Sequence, residues 1–401
     1  MSKDGRVICT GHNNAHSNND TSDTGTTRIW VYNGTDAWVQ VGEDIVGKAN
    51  DDHSGRQLAL NYDGTRVAIG AWSNDDNGNS SGHTRIWEYS NSDMSSGGSW
   101  TQIGQNIVGI GHSMYSGQYG LALNDDGSIV VITEPNADTG GSNFGLVRIW
   151  LYNGTDTWNQ IGENIYGEIS NDYFGSDGVA INSAGDIVAS ISDTNDTGGN
   201  NAGMVSVWKY SLPGQTGGVW NQLGSTLYGS VDGNALFRYV DLSDDGLTLA
   251  VAIGDYDLIT NNGGGVKVYK YDSNSSDWVD KGIIGGDVEN RYFSKDGMKI
   301  SGDGNCIIGS YDDYSSSKGS VGVYKITESA PQLNIGTLDT TFLHSLIVPG
   351  NLVIVDGSNN SSFGSYTTYS KENSLTELFH VGKSKSNVFN IVNSNNVGVF
   401  M

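Results

Sequence analysis

The stretch that decides the fold runs from Leu121 to Tyr152 and reads LALNDDGSIVVITEPNADTGGSNFGLVRIWLY. It begins with a short apolar run, followed by the turn Asp126-Gly127 and a second apolar run. A polar connection then leads to a third run, which ends in aromatic residues. Glycine after aspartate gives the backbone the positive φ that a tight hairpin needs. The stretch therefore predicts three strands joined by one tight turn and one long loop.

The same pattern recurs along most of the chain, with a period that the turn glycine marks. These glycines stand 58 to 63 residues apart, at Gly5, Gly64, Gly127, Gly185, Gly246 and Gly304. Apolar residues alternate with other residues before each internal turn, which is typical of a strand with one buried face. Two consecutive small or apolar residues follow three positions after each turn, so we expect both faces of that second strand to be buried. A fixed period of this length indicates a repeat fold.

Aromatic residues mark two further strands in each repeat. One has the form Arg-Ile-Trp-x-Tyr, and the next has the form Trp-x-Gln-x-Gly. The first form or its relatives begin at Arg28, Arg85, Arg148, Ser206, Lys267 and Gly322, and the second at Trp38, Trp100, Trp158, Trp220 and, less clearly, Trp278. Nine of the ten tryptophans lie in these two registers. A large aromatic residue at one place per repeat is what stacked, near-identical sheets require.

Four short strands per repeat without helical periodicity predict an all-β fold, a six-bladed β-propeller with four-stranded blades. Seven blades are the fallback if the C-terminal tail adds one. A β-solenoid is the main competitor, but its coils are much shorter than this period. The first repeat lacks its inner strand and the sixth lacks a Trp-x-Gln strand, which residues 332–336 replace weakly. The predicted propeller domain spans residues 1–328.

Residues 329–401 are predicted to form a small β-rich domain. They contain short apolar runs and the turns Pro349-Gly350 and Asp356-Gly357. A segment of this size has too small a core to be very stable alone. We therefore expect it to oligomerise, and the chain to form a homo-oligomer through it.

Charge and cysteine content exclude several classes of protein. The chain has 45 acidic and 21 basic residues, a net charge of −24, which argues against nucleic acid or an anionic membrane as a partner. Only Cys9 and Cys306 are present, and we expect buried free thiols in preference to a disulfide that joins the first and last repeats. The chain has no apolar run long enough to cross a membrane. Its first residues predict a turn of the first repeat and no secretory leader.

One polar loop has the oxygen spacing of a calcium site. Asp193, Asn195 and Thr197 precede Gly198 at alternate positions. Asn, Asp and Gly are also the residues that loops use in Asx-turns and left-handed conformations. The sequence leaves both interpretations open, and no metal or cofactor is predicted.

Catalytic residues are not evident in the sequence. The Asp-Gly turns resemble the Asp-box hairpins of sialidase-type propellers, but Arg28, Arg85 and Arg148 lie on the aromatic strand, away from the expected axis. The seven histidines share no register, and we interpret them as scattered surface residues: His12, His16, His53, His83, His112, His344 and His380.

The repeats resemble the FG-GAP-like propeller repeats of large algal viruses and marine microbes. The resemblance covers residues 1 to about 326 and depends on the Trp-x-Gln-x-Gly motif, Phe174-Gly175, and the turn from Ser243 to Gly246. The chain lacks the regular Asp-x-Asp-x-Asp-Gly loop of integrin-type repeats. The segments 351–353 and 379–386 look like the ends of virion fibre proteins, which are commonly trimeric.

These observations predict a non-enzymatic propeller at the virion surface, in a fibre or minor capsid protein, that attaches to a host-cell glycan or protein. The expected partners are other capsid or fibre proteins and a host surface molecule, and the expected location is the virion surface or the cell exterior. One alternative is a carbohydrate-active enzyme on a propeller scaffold, which would need charged residues where the inner strands converge. Another is a cell-surface adhesin of a marine microbe.

Overall fold

The computed structural model describes an all-β chain. The described residues are 1–15, 23–95, 97–138, 142–229, 237–254, 263–285, 292–294, 297–311 and 320–327, with the backbone alone in 330–335, 355–356, 389–392 and 397–400. Within these ranges no helix is present, and so none that could span a bilayer. Unit 1 comprises Met1–Tyr228 and unit 2 comprises Gly229–Met401. The predicted domain boundary at residues 328 and 329 lies outside the described residues.

Unit 1 contains four antiparallel sheets, one for each of the first four repeats. Sheet 1 consists of Val7–His12 (β1), Thr26–Tyr32 (β2), Trp38–Gln40 (β3) and Ile45–Val46 (β4). Sheet 2 consists of Ser54–Leu60 (β5), Arg66–Ala71 (β6), His83–Tyr89 (β7), Trp100–Gln102 (β8) and Ile107–Val108 (β9). Sheet 3 consists of Leu121–Leu123 (β10), Ile129–Glu134 (β11), Leu146–Tyr152 (β12), Trp158–Gln160 (β13) and Ile165–Tyr166 (β14). Sheet 4 consists of Val179–Ile181 (β15), Ile187–Ser192 (β16), Met204–Tyr210 (β17), Trp220–Gln222 (β18) and Leu227–Tyr228 (β19).

Unit 2 contains the remaining sheets. Sheet 5 consists of Phe237–Leu242 (β20), Thr248–Ile253 (β21), Gly265–Asp272 (β22) and Asp277–Gly285 (β23). Sheet 6 consists of Met298–Ile300 (β24), Cys306–Tyr311 (β25), Ser320–Thr327 (β26), Ala330–Ile335 (β27) and Val355–Asp356 (β28). A separate hairpin pairs Phe389–Val392 (β29) with Val397–Phe400 (β30).

Within each sheet the strands follow chain order from the inner strand outwards. Six small sheets of this topology make the fold a six-bladed β-propeller, as the sequence predicts. Sheet 1 lacks the inner strand, again as predicted. Strand β27 pairs with β26 as the fourth strand of sheet 6, which confirms the weak copy at residues 332–336 as that strand. The described residues contain no seventh four-stranded sheet.

A short extra strand follows the Trp-x-Gln strand in each sheet of unit 1 and was not predicted. Strand β9, for example, pairs with the beginning of β7, while β8 pairs with its end. The glycine after the Trp-x-Gln motif makes this possible, because at Gly104 the backbone has a φ of 71°. The chain can therefore leave the strand edge briefly and return to it.

The second strand of each repeat forms the centre of the core. Val67, Val130 and Leu249 are fully buried, as are the residues that follow them, so both faces of this strand are covered as predicted. The prediction was wrong for sheets 1 and 6, since Ile8 and Cys9 are half-buried and Ile308 is 45% exposed. Apolar clusters fill the space between consecutive sheets of unit 1, and a further cluster joins the two sheets of unit 2.

Two kinds of hydrogen bond join consecutive repeats of unit 1. The indole Nε1 groups of Trp100, Trp158 and Trp220 donate to the carbonyls of Val41, Ile103 and Ile161 in the preceding repeat, at 2.9–3.0 Å. The turns also bond to one another, since Lys3 N donates to Tyr62 O, Tyr62 N to Asp125 O, and Asp125 N to Ser183 O. Consecutive repeats of unit 1 are thus joined both at the Trp-x-Gln strand and at the turn that follows the inner strand.

Candidate functional site

The first residues of the inner strands bring chemically distinct side chains into one register. Arg56 lies near the start of β5, and Tyr119 and Asp177 occupy the corresponding positions before β10 and β15. These inner strands are neighbours in unit 1. Arg56 is exposed, and the other two side chains are half-buried. Charged and aromatic groups therefore meet where the inner strands begin.

Trp72 lies at the centre of a group of rings beside Arg56. Trp72 stacks on His53 with ring centroids 5.0 Å apart and lies edge-on to Tyr115 at 5.6 Å. The Arg56 guanidinium lies 5.9 Å from the Trp72 ring and 5.6 Å from the Tyr119 ring. These five residues, His53, Arg56, Trp72, Tyr115 and Tyr119, are called the ring cluster below. It lies entirely within unit 1.

Arg56 differs from the other arginines of unit 1 in its hydrogen bonding. The other five are bonded to a carboxylate or a carbonyl: Arg6 to Asp4, Arg28 to Asp44, Arg66 to Glu88, Arg85 to the Val46 carbonyl and Arg148 to Glu134. Arg56 contacts only aromatic faces within the described residues. In a chain with this excess of carboxylates, a guanidinium without one is available to a ligand anion or to a negative charge that develops during a reaction.

His53 is held at two points. Its backbone N–H donates to the Asp23 carbonyl at 3.0 Å, and its Nδ1 lies 3.2 Å from Asn14 Oδ1. With the Asn14 amide oxygen as the acceptor, Nδ1 is the donor of this bond, which leaves the lone pair on Nε2 in the neutral ring. The imidazole can therefore accept a proton at Nε2.

The loop that carries His53 is fixed by a buried carboxylate. Asp52 accepts the backbone N–H groups of Lys48 and Ala49 at 3.0 and 2.8 Å, and the side-chain amide of Asn74 at 2.8 Å. Asp172 makes the same three bonds two repeats later, to Glu168, Ile169 and Asn195. The Asp172 pKa is raised because its burial outweighs the bonds to its carboxylate. This arrangement is part of the scaffold rather than part of the site.

A second network beside this loop is specific to one repeat. Asp76 accepts hydrogen bonds from Lys48 at 2.7 Å, from Asn106 at 2.9 Å and from His83 at 3.1 Å. Burial alone would raise the pKa of Asp76, but these three donors outweigh it and hold the pKa at about 2. His83 is fully buried, so the expectation that all the histidines are surface residues was wrong for it. Burial, together with the nearby Arg85, lowers the pKa of His83.

The loop considered for calcium uses its oxygens internally. Asn195 is fully buried, and its side chain donates to Asp172 and accepts from the backbone of Thr197. Asp193 accepts from Ser176 at 2.9 Å. In the described part of the chain no three His, Cys, Asp or Glu side chains are grouped to hold a metal ion. The contacts of Asn195 therefore favour turn chemistry over a calcium site.

The arginines of the Arg-Ile-Trp register in sheets 2 and 3 bind other groups of the protein. Arg85 and Arg148 donate to the carbonyls of Val46 and Val108 in the preceding repeat, at 2.8 and 2.7 Å. Arg148 also donates to the buried Glu134, whose other oxygen accepts the Ile110 N–H at 3.1 Å. Burial raises the pKa of Glu134, against the effect of Arg148. Arg85, Arg148 and Glu134 therefore join consecutive repeats.

Cys9 and Cys306 are free and partly exposed, so the expectation of buried thiols was right about the missing disulfide and too strong about burial. His16, His344 and His380 lie outside the described residues. The remaining predicted surface histidines, His12 and His112, are exposed.

The ring cluster was not predicted from the sequence, although the sequence contains two signals for it. Trp72 is the single tryptophan outside the two repeat registers. His53 occupies a register that holds Tyr115, Tyr173 and Tyr292 in other repeats, each with a positive φ. Residues that break a repeat pattern point to a local role, and both of these lie in the ring cluster.

Comparison with known proteins identifies the fold and leaves the family open. No protein-family model matches the chain, and no curated protein matches it. Among solved structures, the periplasmic gluconolactonase of Pseudomonas aeruginosa is 13% identical, with a TM-score of 0.50 over 82% of this chain and 80% of that one. A protein of Bacteroides fragilis proposed to be a 6-phosphogluconolactonase is 14% identical, with a TM-score of 0.49 over 92% and 95% of the two chains. A similarly described protein of Bacteroides uniformis is 12% identical, with a TM-score of 0.43 over 81% and 93%.

The match to the Pseudomonas protein corrects two expectations. The sequence predicted a non-enzymatic propeller for host-cell attachment at the virion surface. One solved propeller of similar fold, the Pseudomonas aeruginosa protein, is described as a gluconolactonase, and on that finding the predicted attachment function and the predicted absence of activity are withdrawn. The resemblance to FG-GAP-like repeats stays a prediction.

Proposed function

We propose that this chain is a hydrolase that opens a sugar lactone at the ring cluster. The observation that carries the proposal is the placement of His53 and Arg56 on one tryptophan ring, the first with a free basic nitrogen and the second with no carboxylate partner among the described residues. The reaction class is suggested by the gluconolactonase of Pseudomonas aeruginosa, a propeller of similar fold.

Lactone hydrolysis needs a base and a positive charge. His53 Nε2 takes a proton from water as the water oxygen attacks the lactone carbonyl. The carbonyl oxygen becomes negative in the tetrahedral intermediate, where the Arg56 guanidinium stabilises it. The ring C–O bond then breaks, and the leaving oxygen takes the proton back from the imidazolium. The product is the open-chain hydroxy acid.

The aromatic side chains supply the binding surface. Half-buried Trp72, Tyr115 and Tyr119 offer apolar faces and edges to the C–H groups of a sugar ring. The Trp72 Nε1 is buried and has no acceptor among the described residues, so it can donate to a substrate oxygen. A ring-shaped, hydroxylated substrate fits this combination of groups.

The test is hydrolysis of glucono-1,5-lactone, followed by acid release in a pH-stat and corrected for the uncatalysed rate. We expect His53→Gln to lower kcat about 10²- to 10⁴-fold, the usual contribution of a general base. His12→Gln, an exposed histidine of the same unit, is the matched control and keeps the wild-type rate. Wild-type protein that binds the lactone without hydrolysing it, or a His53→Gln variant of full activity, would overturn the proposal.

Location and assembly remain predictions of the sequence. We keep as proposals an extracellular location and a homo-oligomer, a trimer, formed through residues 329–401. Native mass spectrometry of the full chain, compared with a chain that ends at residue 328, measures the contribution of the tail to assembly.

A further inference from the structure

The register of His53 continues as a row of aromatic side chains along unit 1. Tyr115 and Tyr173 occupy the same place in the next two repeats, in the loop that leads to the inner strand. All three residues have a left-handed backbone, with φ of 51°, 51° and 48°. All three side chains are half-buried.

This conformation has an energetic cost at each position. A non-glycine residue in the left-handed region is destabilised by roughly 1–2 kcal/mol, which glycine would avoid. Such outliers are often found where a side chain must be presented in a particular direction. Three residues with this conformation, in consecutive repeats, carry an aromatic ring in the same register of unit 1.

Each tyrosine of the row reaches back over the loop of the preceding repeat. Tyr115 contacts Trp72 in this way, at 5.6 Å between ring centroids. The Tyr173 hydroxyl accepts a hydrogen bond from Asn143 at 3.0 Å, in the corresponding loop of the next repeat. The row therefore runs from the ring cluster, past Tyr119, towards Tyr173 and the half-buried Asp177.

We infer that this row is an extended glycan-binding site, and that the substrate is the lactone end of an oligosaccharide rather than a single sugar. The inference rests on the proposed function, since the ring cluster would bind the lactone unit. The second sugar would extend from the lactone past the Tyr119 edge of the ring cluster, and the third would reach Tyr173 and Asp177 in the next repeat.

The chemistry of the row fits this ligand. Tyrosine rings offer flat apolar faces to sugar C–H groups, and tyrosine hydroxyls and carboxylates bind sugar hydroxyls. Packed sheets lie about 10 Å apart, so side chains of the same register in neighbouring repeats are separated by a length comparable to a disaccharide. A sugar chain that crosses the repeats can thus contact one such position after another.

The experiment compares three lactones, glucono-1,5-lactone, cellobiono-1,5-lactone and cellotriono-1,5-lactone. We expect the wild-type kcat/KM to be about tenfold higher for the disaccharide lactone, the gain that one aromatic contact typically provides. Tyr173→Ala should remove the advantage for cellotriono-1,5-lactone while leaving hydrolysis of glucono-1,5-lactone unchanged, and Tyr173→Phe should restore it. Tyr166→Ala, an exposed tyrosine of β14, is the control and changes neither rate.

Equal kcat/KM for all three lactones, or equal losses for all of them in Tyr173→Ala, overturns the extended site and leaves the proposed function standing. If the wild type hydrolyses no lactone, the proposed function fails by itself, and calorimetric titration with cellotetraose and with glucose then decides the row. Binding of cellotetraose that Tyr173→Ala abolishes supports the row. Absence of binding overturns it.

Discussion

The carboxylate of Asp76 is kept ionised by the donors around it, Lys48, Asn106 and His83. A carboxylate whose pKa is lower in the folded than in the unfolded state stabilises the fold above the unfolded pKa. That stabilisation disappears as the pH falls through the folded pKa. For Asp76 the window lies between its ordinary value of 3.8 and about 2.

We therefore predict that Asp76→Asn lowers the melting temperature at pH 7 by a few degrees, the effect of about 1 kcal/mol in a domain of this size. The difference from wild type should shrink as the pH falls from about 4 to about 2. Thermal melts followed by circular dichroism at pH 7, 4, 3 and 2 measure it. A difference that stayed constant over this range would show that Asp76 does not act through its charge.

Leu123 tests the core at the level of one side chain. It lies on the inner strand β10 and packs in the cluster between sheets 2 and 3 with Ile86 and Val130. Leu123→Asp would bury a charge with no partner, which costs far more than the stability of most domains can tolerate. We expect loss of the cooperative thermal transition, and Leu123→Met, which keeps the apolar volume, should fold normally. A wild-type melting curve for the Asp variant would contradict the assignment of this face to the core.

At the scale of the strand, the tryptophan that begins each Trp-x-Gln strand joins two repeats. Trp158 is buried and donates its Nε1 to the Ile103 carbonyl at 3.0 Å, whereas Trp38 is 41% exposed. Trp158→Phe keeps most of the ring but leaves that carbonyl without its donor, so we expect a loss of about 1–3 kcal/mol in the free energy of unfolding. Trp38→Phe is the control and should change it by less than about 0.5 kcal/mol. Urea titrations of both variants give the comparison, and equal losses would rule out the hydrogen bond as the cause.

The packing of Trp158 against the preceding repeat requires Gly104, which follows strand β8. A Cβ on Gly104 would lie 2.4 Å from Trp158 Cδ1, and the φ there is 71°. Gly154 has a similar φ of 81°, but nothing lies within 4 Å of its Cβ position. Both alanine variants incur the backbone cost of roughly 1–2 kcal/mol.

We predict that Gly104→Ala is clearly less stable than Gly154→Ala, because only the first also displaces the indole. The difference between their urea midpoints isolates the packing contribution. Midpoints that coincide would mean that Trp158 moves aside at no cost.

The elements differ in how far the sequence could predict them. The turn glycines and the tryptophan registers fixed the four strands of each repeat, because a period repeated six times averages out the ambiguity of any single segment. The extra strands such as β9 were missed, since two residues give no periodicity. The site was not predicted for a related reason, because the repeat pattern marks only the residues that the repeats share. His53 and Trp72 are the residues that depart from them.

At the scale of the whole molecule, charge is the dominant property. A net charge of −24 makes the folded chain repel itself at low ionic strength. Salt shortens the range of this repulsion, with a Debye length of about 10 Å at 0.1 M. The same salt weakens individual surface ion pairs, but each of these contributes little.

We expect the melting temperature at pH 7 to rise when NaCl is increased from 10 mM to 300 mM. Sucrose at the same osmolality is the control for effects that do not depend on charge. A melting temperature that fell with NaCl would show that attractive pairs, such as Lys3 with Asp125, outweigh the excess of negative charge.

Glu134, at the end of β11, accepts a backbone N–H that a loop aspartate accepts in the neighbouring repeats, Asp52 in one and Asp172 in the other. Met114 occupies the place of those aspartates, and the Glu134 carboxylate reaches the amide of Ile110 in their stead. Aspartate at Met114 alongside Glu134 would place two acids near one amide, whereas loss of Glu134 alone would leave that amide without its acceptor and Arg148 with only the Val108 carbonyl. The repeats of this chain are therefore not interchangeable, because giving this repeat the arrangement of its neighbours requires both changes together.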